Sequence, residues 1–489
     1  MKWHVILIVI LELLFLVPLA FNRIIAGDEG FYLIAAKEVS QGALPYIDFF
    51  YPQMPLLPFV YGSWMEVFGA SWKSARLLSA LLTSLLGGLL FLRLSDLYSK
   101  RWGYIGVGLF VSSQFVFPWY ITAKTYALST LLLFASYLLF VTRIHVAPAV
   151  KYSFVGFMFG LAVNTRLFFC SVLLVFIIAC FRLPRTLRVT ALFSFLVGGG
   201  LTVLPDLYFM AMAFDSFWFS NMGYHMLRSN FALAHSLKQK RTIFKTIIGW
   251  RSTSKFTGLQ YPLVFIVGVL APLLMWKRDK QIDLGFYIVL VLILTSFLPS
   301  PAYVQYFCVT VPFLLLGVVW ALREIVRLRG SIRILTGAIC ICFLFHYFRV
   351  VPLDVHKYTV SGRGVLSVLG PKESKTLSAM KRVASAVDSV TEPGDRVLTM
   401  WPGVLVGSHA RPYRRLENHF GLKKGHKVPK AQREKLHVMS RNDVWHLLMN
   451  KEPKTVVLER RALEKQYQGI LKNYEVVKKT LYYAVLQRS

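Results

Sequence analysis

The chain has 489 residues, 55% of them hydrophobic and 15% aromatic, with 16% charged and a mean hydropathy of +0.53. That makeup excludes an ordinary soluble domain and points to a membrane protein. The net charge of +32 would suggest nucleic acid as the partner of a soluble chain. In a membrane, Lys and Arg that hold cytoplasmic loops and meet anionic lipid head groups account for it, and no nucleic-acid partner is expected.

Apolar runs near the length needed to cross a hydrocarbon core, roughly 20 residues or somewhat fewer in a packed bundle, recur from the start of the chain. They predict eleven spans, at 5–25, 74–94, 104–121, 125–144, 152–165, 167–181, 190–212, 261–276, 284–299, 304–322 and 333–349. The first is too long for a usual signal-peptide core and reads as an uncleaved span. With the N-terminus inside, the cytoplasmic connections are "LSDLYSKRWG", "RIHVAPAVK", "RLPRTLR", "WKRDKQ" and "REIVRLRGSIR", and each carries Lys or Arg. This register sends residues 26–73, residues 213–260 and everything after about 352 to the outer face.

From about residue 352 the pattern changes. "EPGDRVLTMWPG", "PKTVVLERR" and "YYAVLQ" read as short strands, and "TLSAMKRVASAVDSV" and "NDVWHLLMN" as polar helices. The expected fold is therefore a membrane all-α helical bundle over residues 1–351, with outer loops 26–73 and 213–260, followed by a soluble α/β domain over 352–489 on the outer face. That tail holds 26 Lys or Arg against 12 Asp or Glu, a surplus of +14. The five cysteines, Cys170, Cys180, Cys308, Cys340 and Cys342, lie in apolar runs without a histidine at metal-ligand spacing, and read as small core residues. No GxGxxG, P-loop or HExxH motif occurs, and no internal repeat.

The first predicted outer loop opens with "IIAGDEGFY", two adjacent carboxylates in a chain short of acid. Asp28 alone reads as the cap of a short helix, "EGFYLIAAKEVSQG", with Gly42 as its stop. The stretch that follows, "GALPYIDFFYPQMPLLPFVYG", is rich in aromatic residues and proline, as a segment lying along the membrane interface would be.

Taken together, "DEGFYLIAAKEVSQGALPYIDFFYPQMPLLPFVYGSWMEVFG" resembles the first outer loop of the GT-C glycosyltransferases, in the bacterial branch related to protein O-mannosyltransferases and lipid A aminoarabinose transferase. The shared pattern is an acidic pair, a nearby tyrosine, then G-x-LPY-x-D and a proline-rich run, here Asp28, Glu29, Tyr32, Gly42, Pro45, Tyr46, Asp48, Pro52 and Pro55. Looser likeness extends through "GLAVNTRLFF", "FWFSNMGYHMLRS" and "YVQYFCVTVPFLLL". The resemblance implies a multi-pass protein of the bacterial inner (plasma) membrane. It moves a sugar from a polyprenyl-phosphate carrier to a hydroxyl of a glycan, lipid or protein acceptor on the outer face, with inversion at the anomeric carbon.

Phosphate is a good leaving group at neutral pH, whereas the acceptor hydroxyl must lose a proton as it attacks. A carboxylate base is thus the minimum apparatus, and Asp28, at the position of the family's catalytic acid, is assigned to it. Glu29 is expected as its partner or as a substrate or metal contact. Charge on the leaving phosphate calls for fixed cations, and Arg166 in "AVNTRLFF" is the first choice, an arginine at membrane depth being costly unless it functions. His225 and Arg228 in "GYHMLRS", three residues apart, are further candidates for phosphate or acceptor. Tyr32, Tyr46, Asp48, Gln53 and Tyr306 are candidate substrate contacts, with Tyr303 and Gln305 beside Tyr306. Asp48 is expected to orient the loop through a turn hydrogen bond. Glu12 and Asp206, carboxylates at membrane depth, are expected to pair inside the bundle.

Two departures from the aminoarabinose branch matter. Where that branch has an acidic residue and a lysine before the loop proline, this chain reads Pro52, Gln53, Met54, Pro55, which leaves a divalent metal an open question. The next outer turn, acidic in many relatives, reads "YITAKTYAL", with Lys124 available to a phosphate. A transporter or lipid flippase is the alternative reading, against which stand the absence of a repeat and the clustering of carboxylates at one surface.

Overall fold

The computed structural model describes residues 1–229, 233–250, 258–279, 282–328, 331–362 and 372–489. These fall into two compact units. One comprises Met1–Ala20, Ser79–Leu204 and Phe231–Gly364; the other comprises Phe21–Leu78, Pro205–Asn230 and Val365–Ser489.

The first unit is helical, and each of the eleven predicted apolar stretches of the chain falls on helix. Among the described residues five helices are long and apolar enough to cross a membrane singly: Lys2–Asn22, Trp72–Leu97, Gln260–Lys277, Val304–Arg327 and Ile334–Ser361. A sixth span results if Arg185–Leu201 and Leu204–Arg228, bent by 43°, are taken together. Other stretches are shorter helices or helices in pieces. The predicted 104–121 span, for example, stops at Val111 and resumes at Val116–Tyr120. Such breaks are tolerated inside a bundle because neighbouring elements satisfy the freed backbone groups.

Packing within this unit follows membrane rules. The Pro148–Thr165 and Arg185–Leu201 helices meet backbone to backbone: a Cβ on Gly156 would strike the Phe195 carbonyl, and one on Gly198 the Ser153 carbonyl. Leu174, Val189 and Phe193 point outward, as lipid-facing side chains do. Asp283 caps the Leu284–Ser296 helix through the Gly285 N–H at 2.7 Å and also takes the Arg93 guanidinium and, at 2.6 Å, the Tyr137 hydroxyl. The pairing expected for Glu12 is not found. Neither of its buried carboxylate oxygens has a hydrogen-bond partner among the described residues, and the side chain fills the notch left by Gly87.

The second unit contains a five-stranded sheet in the order β2-β1-β3-β5-β4, with β1 Arg396–Thr399, β2 Arg411–Pro412, β3 Thr455–Glu459, β4 Tyr474–Lys479 and β5 Tyr483–Arg488. β1 runs parallel to β2 and β3; β5 is antiparallel to β3 and β4. β1, β3 and β5 are the three strands expected from sequence. β2 has only two residues, and β4 offers only Val476 and Val477 between charged neighbours, too little pattern to read. The expected polar helices are Leu377–Asp388, capped by Thr376, and Arg441–Met449, opened by a capping box of Ser440 and Asp443. Leu398, Val456, Leu458 and Leu486 form the centre of the core.

The residue 26–73 segment folds into this same unit. Its Glu29–Ser40 helix stops before Gly42, whose φ of +86° glycine adopts without strain. A second helix, Leu56–Phe68, begins within the proline-rich stretch read as lying along the membrane interface, with Pro55 at its N-cap. Buried Lys37 donates to three carbonyls of one bend, Leu405, Ser408 and Ala410, at 2.9, 2.7 and 2.6 Å. Burial lowers its ammonium to about 8. Glu38 beside it takes Arg411 in an ion pair.

Glu417 has one oxygen 3.9 Å from Arg396 and the other without a hydrogen-bond partner among the described residues. Burial pushes its carboxyl up to about 8. The folded chain therefore keeps a proton that the unfolded chain loses above the ordinary carboxylate range, so stability falls as pH rises toward 8 and levels off beyond it. Thermal melts are expected to lose on the order of 1–3 kcal/mol between pH 5 and pH 9 through this group. Glu417→Gln removes that component; melts of variant and wild type with the same pH dependence would contradict it.

Candidate active site

Asp28 occupies the N-cap position of the Glu29–Ser40 helix, yet its side chain makes no capping hydrogen bond. The simple capping role thus does not account for the carboxylate. It is part-exposed, and it lies within electrostatic reach of Lys423, on which Arg228 and Arg441 also act. Partial burial of its ammonium first, and then the two arginines, hold Lys423 below its usual range, while Asp28 acts in the opposite sense. Trp401 fixes the backbone next to Asp28, its indole N–H donating to the Gly27 carbonyl at 2.8 Å.

Glu29 is fully buried. It takes Arg76 in a two-pronged pair, Nε to Oε1 at 2.8 Å and Nη2 to Oε2 at 2.7 Å, while Arg76 Nη1 donates to the Arg23 carbonyl at 2.6 Å. Arg76 was not singled out from the sequence, because a partner 47 positions away leaves no local signal. The pair clamps the turn that presents Asp28.

The rest of the 26–73 segment is built around aromatic packing. Tyr32 lies against Phe31 and Tyr51. Tyr46 adopts a φ of 68°, is fully buried between Phe209 and Phe217, and donates its hydroxyl to the Gln53 carbonyl at 2.5 Å. Asp206, at the start of the Leu204–Trp218 helix, is buried within electrostatic reach of Tyr46. Asp48 makes the expected turn hydrogen bond, accepting from the Leu44 N–H at 2.7 Å. His225 and Arg228 share the short Tyr224–Arg228 helix; His225 Nε2 donates to the Pro52 carbonyl at 3.2 Å, and the Arg228 guanidinium lies 6.0 Å from the Phe420 ring centre. Asp28, Arg228 and Lys423 thus form one charged cluster in this unit.

A second cluster lies in the other unit. Arg166 sits where the Pro148–Thr165 helix gives way to a 3-10 turn, and Lys124 sits at the N-cap of the antiparallel Thr125–Val141 helix, so both come to the same end. Arg166 donates to Thr125 Oγ1 at 3.3 Å and lies 5.0 Å and 5.3 Å from the ring centres of Tyr126 and Tyr306. Lys124 is buried, 5.0 Å from the Trp119 ring centre. Both cations act on Cys308. A small cavity of about 10 Å³ adjoins Arg166, Ser296 and Tyr306. Two buried cations beside a helix N-terminus, walled by aromatic rings, are suited to a phosphate. The sequence named Arg166, Lys124 and Tyr306; Thr125, Tyr126 and Trp119 escaped it because an aromatic residue in an apolar run reads as core.

Among the described residues no three His, Cys, Asp or Glu side chains converge as metal ligands.

Residues 52–209 match the family model described as dolichyl-phosphate-mannose-protein mannosyltransferase. By sequence, no curated protein matches. By structure, the chain is similar to ArnT from Cupriavidus metallidurans, crystallised with undecaprenyl phosphate, at 12% identity and a TM-score of 0.66, covering 99% of this chain and 98% of that one. The apo form of the same protein matches at 14% identity with the same TM-score and coverage. The Archaeoglobus fulgidus oligosaccharyltransferase in its form tethered to an acceptor peptide matches at 13% identity and a TM-score of 0.51, over 97% of this chain and 72% of that one. The chain thus carries the GT-C fold, and the likeness to GT-C glycosyltransferases read from its 26–73 segment extends to its whole length.

Proposed function

We propose that the chain is an integral-membrane glycosyltransferase that moves a sugar from a polyprenyl-phosphate carrier to an acceptor hydroxyl at the outer face, with inversion. The observation that carries this reading is the fold shared end to end with a protein crystallised on undecaprenyl phosphate. None of the matches above is a transporter, and that alternative is not taken further.

In this reading all eleven apolar stretches serve the membrane bundle and residues 352–489 stand outside it. The acceptor oxygen attacks the anomeric carbon as the bond from that carbon to the phosphate oxygen breaks, and the electron pair leaves with the phosphate. Asp28 takes the proton of the attacking hydroxyl. Arg166 and Lys124 are the first unit's candidates for the carrier phosphate, whose departing charge calls for fixed cations. Glu29, already committed to Arg76, positions the Asp28 turn rather than touching substrate.

Purified protein in detergent, given labelled polyprenyl-phosphate sugars and a crude envelope acceptor, is expected to release polyprenyl phosphate as label passes to the acceptor. Absence of release from pentosyl and hexosyl donors alike would overturn the proposal.

A further inference from the structure

The second unit holds a cavity that the assignments above leave unused. It has a volume of about 100 Å³, several times what a single ordered water needs. It opens where β1 and β3 end, walled by Thr399 at the end of β1, Trp401 just beyond it, and Leu458 and Glu459 closing β3. The carboxyl ends of parallel strands are where open α/β sheets bind their ligands.

Its lining is unusual for an internal gap. His419 is buried, and neither ring nitrogen has a hydrogen-bond partner among the described residues. Glu459 lines the same space with Oε1 equally unsatisfied. Buried polar atoms of this kind are rare in folded chains and mark places where something else completes the bonding. Trp401, Tyr467 and Tyr483 supply flat aromatic surface, and Gln466 adds an amide. At the mouth stand Lys423 and Arg441, both exposed, giving the lining two cations against one carboxylate.

We propose that this cavity binds a saccharide ring bearing one anionic substituent, a carboxylate or a phosphate, and that this ring belongs to the acceptor of the transfer. Aromatic faces stack on the apolar side of a pyranose ring, and unsatisfied donors and acceptors meet its hydroxyls. The anionic substituent sits at the mouth against Lys423 and Arg441. The link to transfer rests on the reading of Asp28 as the base. Trp401 joins the cavity wall to the Gly27 carbonyl, and Lys423 at its mouth acts on Asp28, so the cavity and that carboxylate share two neighbours.

The test uses the full chain in detergent and saturation-transfer NMR with methyl glucuronide, glucose 6-phosphate and glucose. The two anionic sugars are expected to give signals at least five-fold stronger than glucose, and Arg441→Gln, a surface change, to reduce them at least five-fold without moving the melting temperature. A signal that favours only one of the two anionic sugars identifies the substituent and also supports the site. No signal from any probe, equal signals from glucose and both anionic sugars, or an unchanged signal in Arg441→Gln would overturn it. Asp28→Asn is expected to keep the binding. If wild-type protein binds the probes through Arg441 but releases no polyprenyl phosphate, the transferase reading falls and the binding site stands. If release is normal and indifferent both to Arg441→Gln and to added glucuronide, the acceptor assignment falls and the transferase reading stands.

Discussion

Asp28→Asn is expected to lower the rate of sugar transfer by about 10²–10⁴-fold while leaving the protein folded. The amide has nearly the shape of the carboxylate, and because the Asp28 side chain makes no capping hydrogen bond, the Glu29–Ser40 helix loses no cap with it. What disappears is the acceptor for the hydroxyl proton. The loss is expected in kcat and not in binding of the donor lipid, since Asp28 is assigned to the proton of the acceptor. Single-turnover release of polyprenyl phosphate, with a melting curve on the same preparation, measures both. Transfer within a factor of two of wild type would remove Asp28 from the role of base.

Arg76→Met is expected to be the most damaging substitution for the fold of the second unit. It leaves Glu29 ionised and fully buried without its two-pronged partner, and breaking a buried pair from one side costs about 3–5 kcal/mol. The Arg23 carbonyl loses its donor at the same time. Replacing both partners, Glu29→Leu with Arg76→Met, removes the stranded charge and is expected to recover more than half of the lost stability. Melting of the detergent-solubilised variants separates the cases; a double variant no more stable than Arg76→Met would show that the pair is not the source of the loss. Because the pair clamps the turn that presents Asp28, the double variant is expected to remain slow in transfer despite its restored stability.

The parts of this chain that were legible from sequence are those whose signal is local. Apolar runs announce helices because the hydrocarbon core imposes one length and one polarity, and "DEG" ahead of a Tyr and a G-x-LPY-x-D run is short enough to be read as a unit. Arg166 and Lys124 stood out because charge is scarce in their surroundings. The Glu29–Arg76 pair was hidden by separation along the chain. The cavity beside His419 was hidden for a related reason: it exists only because β1 and β3, more than fifty residues apart, lie next to each other in parallel. His419 and Lys423 in "ENHFGLKKGHK" look like any basic surface run until the sheet gives them a wall to face. Helix breaks such as that after Val111 were also illegible, since an interrupted and an intact helix can share the same hydropathy.

Lys37 has a consequence for anyone exchanging parts between relatives. Its ammonium bolts the Glu29–Ser40 helix to the bend at 405–410, and Trp401 fastens the turn at Gly27 from the same neighbourhood. The C-terminal portion is therefore not a cassette that can be transplanted by cutting once near residue 360. A hybrid that keeps the recipient's 21–78 stretch would mate a foreign bend to a lysine with nothing to grip; one that carries both stretches across together preserves the joint.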